Sequence, residues 1–506
     1  MKKIFLTGAT GVMGRNTVFK FMEMENNNDF LLRVLARDSE KNHKILDQFS
    51  DRIEIVWGDM RDDDLLRECV KDMDYVLHVG VFISPKCDDQ PEEALRTNYG
   101  STLSLLKAIK DWGQTNKTHF LYIGSCAMTG ERNAPIHWGR IGDPLKPSIY
   151  DYYALSKTKS EYAVLESGLK YFASVRLGAM WQSAEGIGPD PIGTHYCPNG
   201  VLEWTDVKDA GNLVRNIAMY APEEFWGHVY NLSSGPEWRL DHKENFEIAG
   251  SSLDMLEPNW MAIHNFHGQY YLDADKLNEI VPFRTRSLQT RVEEYFAEAA
   301  QGMQELMAQN PDFKIPTTKE LHDIFGNLTE NHPRGTHYGL THNDETNVKV
   351  WWGSREKYEA IPKTWDEYLK TAYCPPSKTE KGEALSRGFD ESKPVNELGI
   401  EDMQQAAAFR GGECLSDAMV KGDMYTPLRW RSADGYEFEA CPNTVLFAGH
   451  WSPDDLRREW RYGHIAKVNP FFNQVWAPLH WDEDDNYTVP MIADGTVEEE
   501  RYGVKF

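Results

Sequence analysis

The sequence predicts an α/β protein: a doubly wound parallel sheet followed by a smaller lobe and a C-terminal extension that is irregular or β-rich. Three observations carry this. Short apolar runs alternate with helix-length segments through roughly the first 235 residues. A glycine-rich turn, TGATGVMG, stands between the first run and the first helical segment. After about residue 330 the composition shifts towards Trp, Pro, Gly, Asp and His, with few long periodic segments.

Six runs read as buried strands: KKIFLTG, FLLRVLAR, RIEIVWGD, DYVLHVG, HFLYIGS and FASVRLG. They are continuously apolar rather than alternating, which suits strands covered by helices on both faces. Helices are expected over 12–24, 92–111 and 151–167. Residues 236–290 are less regular and suggest short helices. Residues 289–309 are rich in good helix formers and predict one long helix. The stretch 375–395, PPSKTEKGEALSRGFDESKPV, reads as an exposed linker. The expected division is 1–310 (a core of about 1–180, then 181–310), a connecting region 311–395, and an extension 396–506.

Bulk properties narrow the function. A chain of 506 residues holds two to four domains and a sizeable core. The formal net charge of −25 disfavours binding to a phosphate backbone. No run of eighteen apolar residues is present to suggest a membrane span, and the apolar stretch in MKKIFLTGATG is short for a signal peptide. Seven scattered cysteines suit reduced thiols in a cytoplasmic setting better than a disulfide framework.

In IFLTGATGVMGRN, Gly8 permits a tight turn, Gly11 lets backbone approach a pyrophosphate, and Gly14 lets the helix pack on the sheet. The helix N-terminus adds unpaired N–H groups and a positive dipole. The second strand ends in Ala36 and Arg37, where an acidic ribose partner is usual for NAD. A planar guanidinium suits a 2′-phosphate, so NADP(H) is expected over NAD(H), with Lys41 and Lys44 adding positive potential. Asp38 as a ribose partner is the alternative. Asp59, in WGDMRD, is placed to accept from an adenine amino group.

Only Tyr153 lies four residues before Lys157, so on a helix these two share a face. A nearby ammonium is expected to lower the phenol from its ordinary value near 10. Tyr153 then exchanges a proton with a substrate oxygen, and the Ser125 hydroxyl at a strand end orients the carbonyl. Tyr152 and Lys159 read as helix surface or packing, and Tyr150 as a residue facing substrate.

TGATGVMG, GDM, TNYGSTLSLLKA, YIGSCAMTG, YALSK and WTDVKDAGNLV together resemble the extended short-chain dehydrogenase/reductase family, of epimerase/dehydratase type, over roughly residues 1–300. The resemblance implies a Rossmann-type sheet, a small substrate subdomain, Ser125–Tyr153–Lys157 catalysis, and contact of Lys157 with the nicotinamide ribose. The expected cofactor edge also takes in Thr10, Val12, Met13, Met60, Gly80 and Leu177. Homodimers built through two helices are common in the family. Two departures stand out. HVGV replaces the usual HxAA, and RLGAMWQSAEGIGP, with Leu177, replaces RPxxxxGP.

Phe82, Met128, Trp138, Met180 and Trp181 suggest an apolar pocket, with Phe82, Met128, Tyr150 and Trp181 as substrate contacts. The reading is a ketone/alcohol oxidoreductase acting on a hydrophobic small molecule. The alternatives are a nucleotide-sugar epimerase or dehydratase, and a cofactor-binding scaffold without turnover. SCAMTGE has no acid at 126–129 for a dehydratase. Residues 411–455 resemble a zinc ribbon in which only Cys414 keeps its position. Ser432, Tyr436, Ser452 and Asp455 replace the other ligands, so no zinc is expected, and Trp430, Phe438 and Trp451 are expected to hold the fold. The acidic WDEDDNY, 481–487, reads as a solvated turn.

Overall fold

The structure is a computed structural model describing residues 1–25, 27–182, 189–457, 459–480, 487 and 489–491. Seven strands form one parallel sheet: β1 (Lys2–Thr7), β2 (Phe30–Ala36), β3 (Glu54–Trp57), β4 (Tyr75–His78), β5 (His119–Ser125), β6 (Tyr171–Leu177) and β7 (His228–Leu232). Their order is β7-β6-β5-β4-β1-β2-β3. The six predicted strands are all present. The seventh, HVYNL, begins with exposed and half-buried residues and lies at the sheet edge, so its apolar signal is weak.

The chain runs outward from β1 through β2 to β3, then returns to place β4 against the other side of β1. Ligands of open α/β sheets bind at such a reversal, outside the carboxyl ends of the strands. Here those ends are tied together. Thr7 Oγ1 accepts from Gly80 N at 2.9 Å and lies 2.9 Å from His78 Nδ1.

Four helices cover the sheet: α1 (Val12–Met22), α2 (Ser101–Asp111), α3 (Tyr152–Leu165) and α4 (Val207–Tyr220). Helices α1 and α4 pack on one face around Val18, Phe21, Leu213 and Ile217. The other face buries Leu103, Leu106, Tyr162 and Val164. The long helix expected over 289–309 is α5 (Leu288–Gln309).

The last third is largely irregular, as expected, with a small sheet, but its regular structure is mostly helical rather than β. These include α6 (Thr318–Asn331), the short helix Glu345–Trp352, α7 (Ile400–Phe409), α8 (Tyr462–Val468) and α9 (Pro470–His480). Most are short, so the helical period is hard to see in sequence. One small antiparallel sheet is present: β8 (Glu413–Cys414), β9 (Leu428–Arg431) and β10 (Glu437–Ala440). Trp451 packs edge-on against Trp430 and Phe438, with centroids 5.9 and 5.2 Å away. Residues 375–394 carry no helix or strand and are mostly exposed. The expected acidic turn lies outside the described residues except for Tyr487.

This last third is not a separate body. Leu398, Met403, Trp430 and Leu446 share one core with Leu103, Tyr162 and Phe172. Trp351, Trp352, Trp460 and Trp476 share another with Ile149 and Leu155. Helix α3 therefore lies between the sheet and the C-terminal region. Tyr162 Oη donates to Glu439 O at 3.3 Å, and Glu166 accepts from Cys441 N at 3.0 Å. Glu161, fully buried, takes the Arg176 guanidinium on one side and His450 Nε2, 3.0 Å away, on the other. Among the described residues, no helix is long and apolar enough to cross a membrane.

Candidate active site

The glycine turn is as tight as its spacing suggests. Gly8 has φ +71°, and a Cβ there would stand 2.5 Å from Gly80 Cα. A Cβ on Gly14 would stand 2.0 Å from Gly8 O. Gly11 caps α1 without a side chain, so the first-turn N–H groups have no side-chain acceptor. They open on a cavity of about 430 Å³. Gly8, Thr10, Gly11, Val12, Met13, Gly14, Arg37, Asp59, Met60, Gly80, Tyr153, Lys157 and Leu177 all line it.

At the outer end, Arg37 is exposed and makes no ion pair among the described residues. Asp38 is engaged instead with His43 Nε2, 3.1 Å away. Asp59 is bound by Arg61 through Nε at 2.9 Å and Nη2 at 2.8 Å, an arrangement the sequence reading missed. The Arg61 side-chain bond, opposed by partial burial, holds the Asp59 carboxyl below its ordinary value. Arg61 also lines the cavity, and its signal was its place two residues after Asp59 in GDMRD.

At the inner end, Asp151 caps α3 by accepting from Ala154 N at 2.8 Å, and Tyr150 before it has φ +68°. This start places Tyr153 and Lys157 on the sheet-facing side. The Ser125 side chain acts on the Tyr153 phenol, and its Oγ accepts from Ala127 N at 3.2 Å. Lys157 Nζ donates to Ile123 O and lies 4.2 Å over the Tyr122 ring. Burial pushes Lys157 down to about 7, against the pull of Glu161 one turn along. The expected lowering of the Tyr153 phenol is not found. Burial raises it above its ordinary value, more than the neighbouring Ser125 side chain lowers it. The phenol is therefore held protonated, as a proton donor requires.

The expected substrate residues divide. Phe82 and Met180 line the large cavity. Tyr150 lines a second cavity beside the start of α3. Met128 is fully buried in the turn after β5 and lines neither cavity. Trp181 packs into the fold: its Nε1 donates to Asn245 Oδ1 at 2.7 Å and its ring lies 5.2 Å from Tyr295. Trp138 is likewise core, against Tyr270. A large apolar residue near a motif is more often packing than lining. Tyr152 packs on Trp460, and Lys159 is buried over Tyr99.

A further cluster had no signal in the sequence. Glu131, His264 and His480 bring metal-ligand atoms within 4.8 Å of one another. They come from the loop after β5, the middle of the chain and the end of α9. The Lys146 ammonium, 3.4 Å from Glu131, answers the carboxylate's charge. Burial acts to raise Glu131, but Lys146 and His480 hold it well below the usual range.

Residues 4–191 match the model of the NAD dependent epimerase/dehydratase family. Curated relatives include UDP-glucose 4-epimerases from Rickettsia bellii (28% identical over 110 residues) and Rickettsia canadensis (31% over 114 residues). These matches cover 21% and 22% of this chain, and 32% and 33% of the relatives. The chain thus spans about a third of the curated relatives it matches. Among solved structures, a dTDP-glucose 4,6-dehydratase from Streptomyces venezuelae with NAD and TYD bound aligns over 59% of this chain and 97% of its own, at 18% identity and TM-score 0.49. The Bordetella bronchiseptica enzyme WbmH in complex with NAD+ aligns over 59% and 99%, at 19% identity and TM-score 0.46.

Proposed function

We propose that the chain is an NAD(P)-dependent oxidoreductase of the epimerase/dehydratase type, interconverting a secondary alcohol and a ketone on its substrate. The observation that carries this is the pair Tyr153 and Lys157, one turn apart on a single helix, lining the inner end of the cavity onto which the glycine turn opens. The residues fit a dinucleotide. Gly8, Gly14 and Gly80 let the turn and the strand end pack too closely for any Cβ, as a dinucleotide turn requires, and the uncapped N–H groups of α1 suit a pyrophosphate. When bound there, the nicotinamide supplies or takes up the hydride. Tyr153 gives a proton to the substrate oxygen in one direction and removes it in the other. Ser125 holds that oxygen, and Lys157 lies one turn along the same helix face.

The curated relatives favour transient oxidation of a nucleotide sugar, as in 4-epimerisation. Dehydration is disfavoured, because Cys126 and Ala127 follow Ser125 and Glu131 is engaged with Lys146. A second reading is net reduction of a ketone on a hydrophobic molecule with NADP(H). Arg37, exposed and without an ion pair among the described residues, favours it, as do Phe82, Ile83 and Met180 in the cavity wall.

The test is to incubate purified protein with UDP-glucose and NAD, and separately with a panel of cyclic ketones and NADPH. UDP-galactose formed without net cofactor reduction supports the first reading, and ketone-dependent NADPH oxidation the second. In either assay Tyr153→Phe is expected to lower turnover about 10²–10⁴-fold with cofactor binding retained. Equal turnover by the variant removes Tyr153 from the mechanism.

A further inference from the structure

A second cavity, of about 200 Å³, lies where the loop after β4 meets the start of α3 and the segment 333–351. One wall is acidic. Asp88 Oδ1 is buried and has no hydrogen-bond partner among the described residues, and the Ser84 side chain beside it acts on the same carboxyl. Asp151 stands beside it. One oxygen of Asp151 caps α3, and the other lies 2.9 Å from His267 Nδ1. The opposite wall is made of rings: Tyr150 stands 6.4 Å from Trp351, and His195 stacks on Trp351 at 4.3 Å.

The charges around this space are specific. His195 is neutral near pH 7, because burial pushes it down to about 4. Arg334 is held by Asp89 at 2.7 Å and Asp190 at 3.0 Å, so its charge is already answered. What remains without a partner among the described residues is the buried Asp88 Oδ1, since Asp151 beside it is already paired with His267. Burial, followed by the charge of Asp151, raises Asp88 to about 8. An ammonium on Asp88 supplies the missing hydrogen bond and favours the carboxylate form, whereas an anion does neither. The volume is below the 300–1,000 Å³ usual for drug-sized ligands, so one ring fits and a nucleotide does not.

We propose that this cavity binds a compact aromatic amine, its ring against the Tyr150–Trp351 wall and its ammonium on Asp88. Much of the lining, from His195 through Phe266 and Arg334 to Trp351, lies beyond the family-matched residues 4–191. The pocket is therefore built largely from the part of the chain with no counterpart in that match. It deepens the proposed function, because Asp151 also acts on the Tyr153 phenol. It rests on that function only for turnover, since binding needs no proton transfer.

The test is calorimetric titration of the full chain near neutral pH with phenethylamine, 2-phenylethanol and phenylacetate, which share a ring and differ in charge. Phenethylamine is expected to bind at least about tenfold more tightly than the alcohol, with no detectable binding of phenylacetate. Asp88→Asn is expected to reduce the amine's advantage over the alcohol to less than about twofold. Ser84→Ala, a milder change at the same carboxyl, is expected to lower amine affinity by a smaller factor, and it serves if Asp88→Asn fails to fold. Tyr153→Phe is expected to bind the amine like the wild type, which separates failure of this site from failure of the hydride chemistry. Phenylacetate binding as tightly as the amine, no amine binding by the wild type, or an unchanged amine advantage in folded Asp88→Asn overturns the proposal.

Discussion

The two cavities are built on opposite plans. The large one is made by backbone: a turn too close for any Cβ, an uncapped helix start, and strand ends tied by Thr7 and Gly80. Its walls come from short segments that follow the strands in order. The smaller one is made by side chains gathered from segments far apart, Ser84 to Trp351. Backbone geometry tolerates almost no substitution but recognises a ligand part common to many enzymes. Side-chain walls tolerate substitution and distinguish one ligand from another. The proposed dinucleotide site and the proposed amine site divide in this way.

The harshest challenge to this contrast is Gly14→Ala. Its new Cβ would meet Gly8 O at 2.0 Å and Gly8 C at 2.7 Å, both backbone atoms that cannot rotate away. The expected cost is about 3 kcal/mol of stability, read as a lower urea midpoint, together with loss of dinucleotide binding. Gly100→Ala is the control: a Cβ there meets nothing within 4 Å and the residue has helical φ −58°. It is expected to be neutral or to stabilise by up to about 1 kcal/mol. Equal tolerance at both positions breaks the backbone-built account of the large cavity.

The same contrast explains what the sequence showed. The glycine turn, the strand ends and the Tyr153–Lys157 spacing depend on neighbours within a few residues, so they were legible. The second cavity was not, because Asp88, His267 and Trp351 become neighbours only after the last third packs beside α3. Met128 and Trp181 misled for a related reason: an apolar residue near a motif has the same composition whether it faces a ligand or the core. The helices after residue 330 were hidden by their shortness, since eight residues such as Glu345–Trp352 give barely two turns of periodicity. Arg61 was passed over because an arginine two residues from an aspartate in a turn is commonplace.

Arg37→Ala sharpens the comparison at the outer end of the large cavity, where the NADP(H) reading rests on a side chain. A charge-assisted hydrogen bond to a 2′-phosphate contributes about 1.5–3 kcal/mol. NADP(H) affinity is expected to fall about tenfold to about a hundredfold, with NAD(H) affinity changed less than about twofold, measured by fluorescence titration of the reduced cofactors. Equal losses for both would place Arg37 outside the ribose site and return the choice to Asp38.

The smallest expected effect tests whether Lys157 is held as the structure shows. Its folded value, about 7, lies below the ordinary 10.5, so the unfolded chain binds the extra proton between these values. Stability from this group is therefore fully present above about pH 10.5, falls as pH drops towards 7, and levels off below it. Over the single unit from about pH 7 to about pH 8, the wild type is expected to gain up to about 1 kcal/mol relative to Lys157→Met. Paired urea denaturation of the two proteins at each pH reads that difference. A difference independent of pH would mean that Lys157 keeps an ordinary ammonium in the folded protein. The Ile123 carbonyl and the Tyr122 ring would then offset the cost of its burial, and Tyr153 would have a full positive charge one helical turn away.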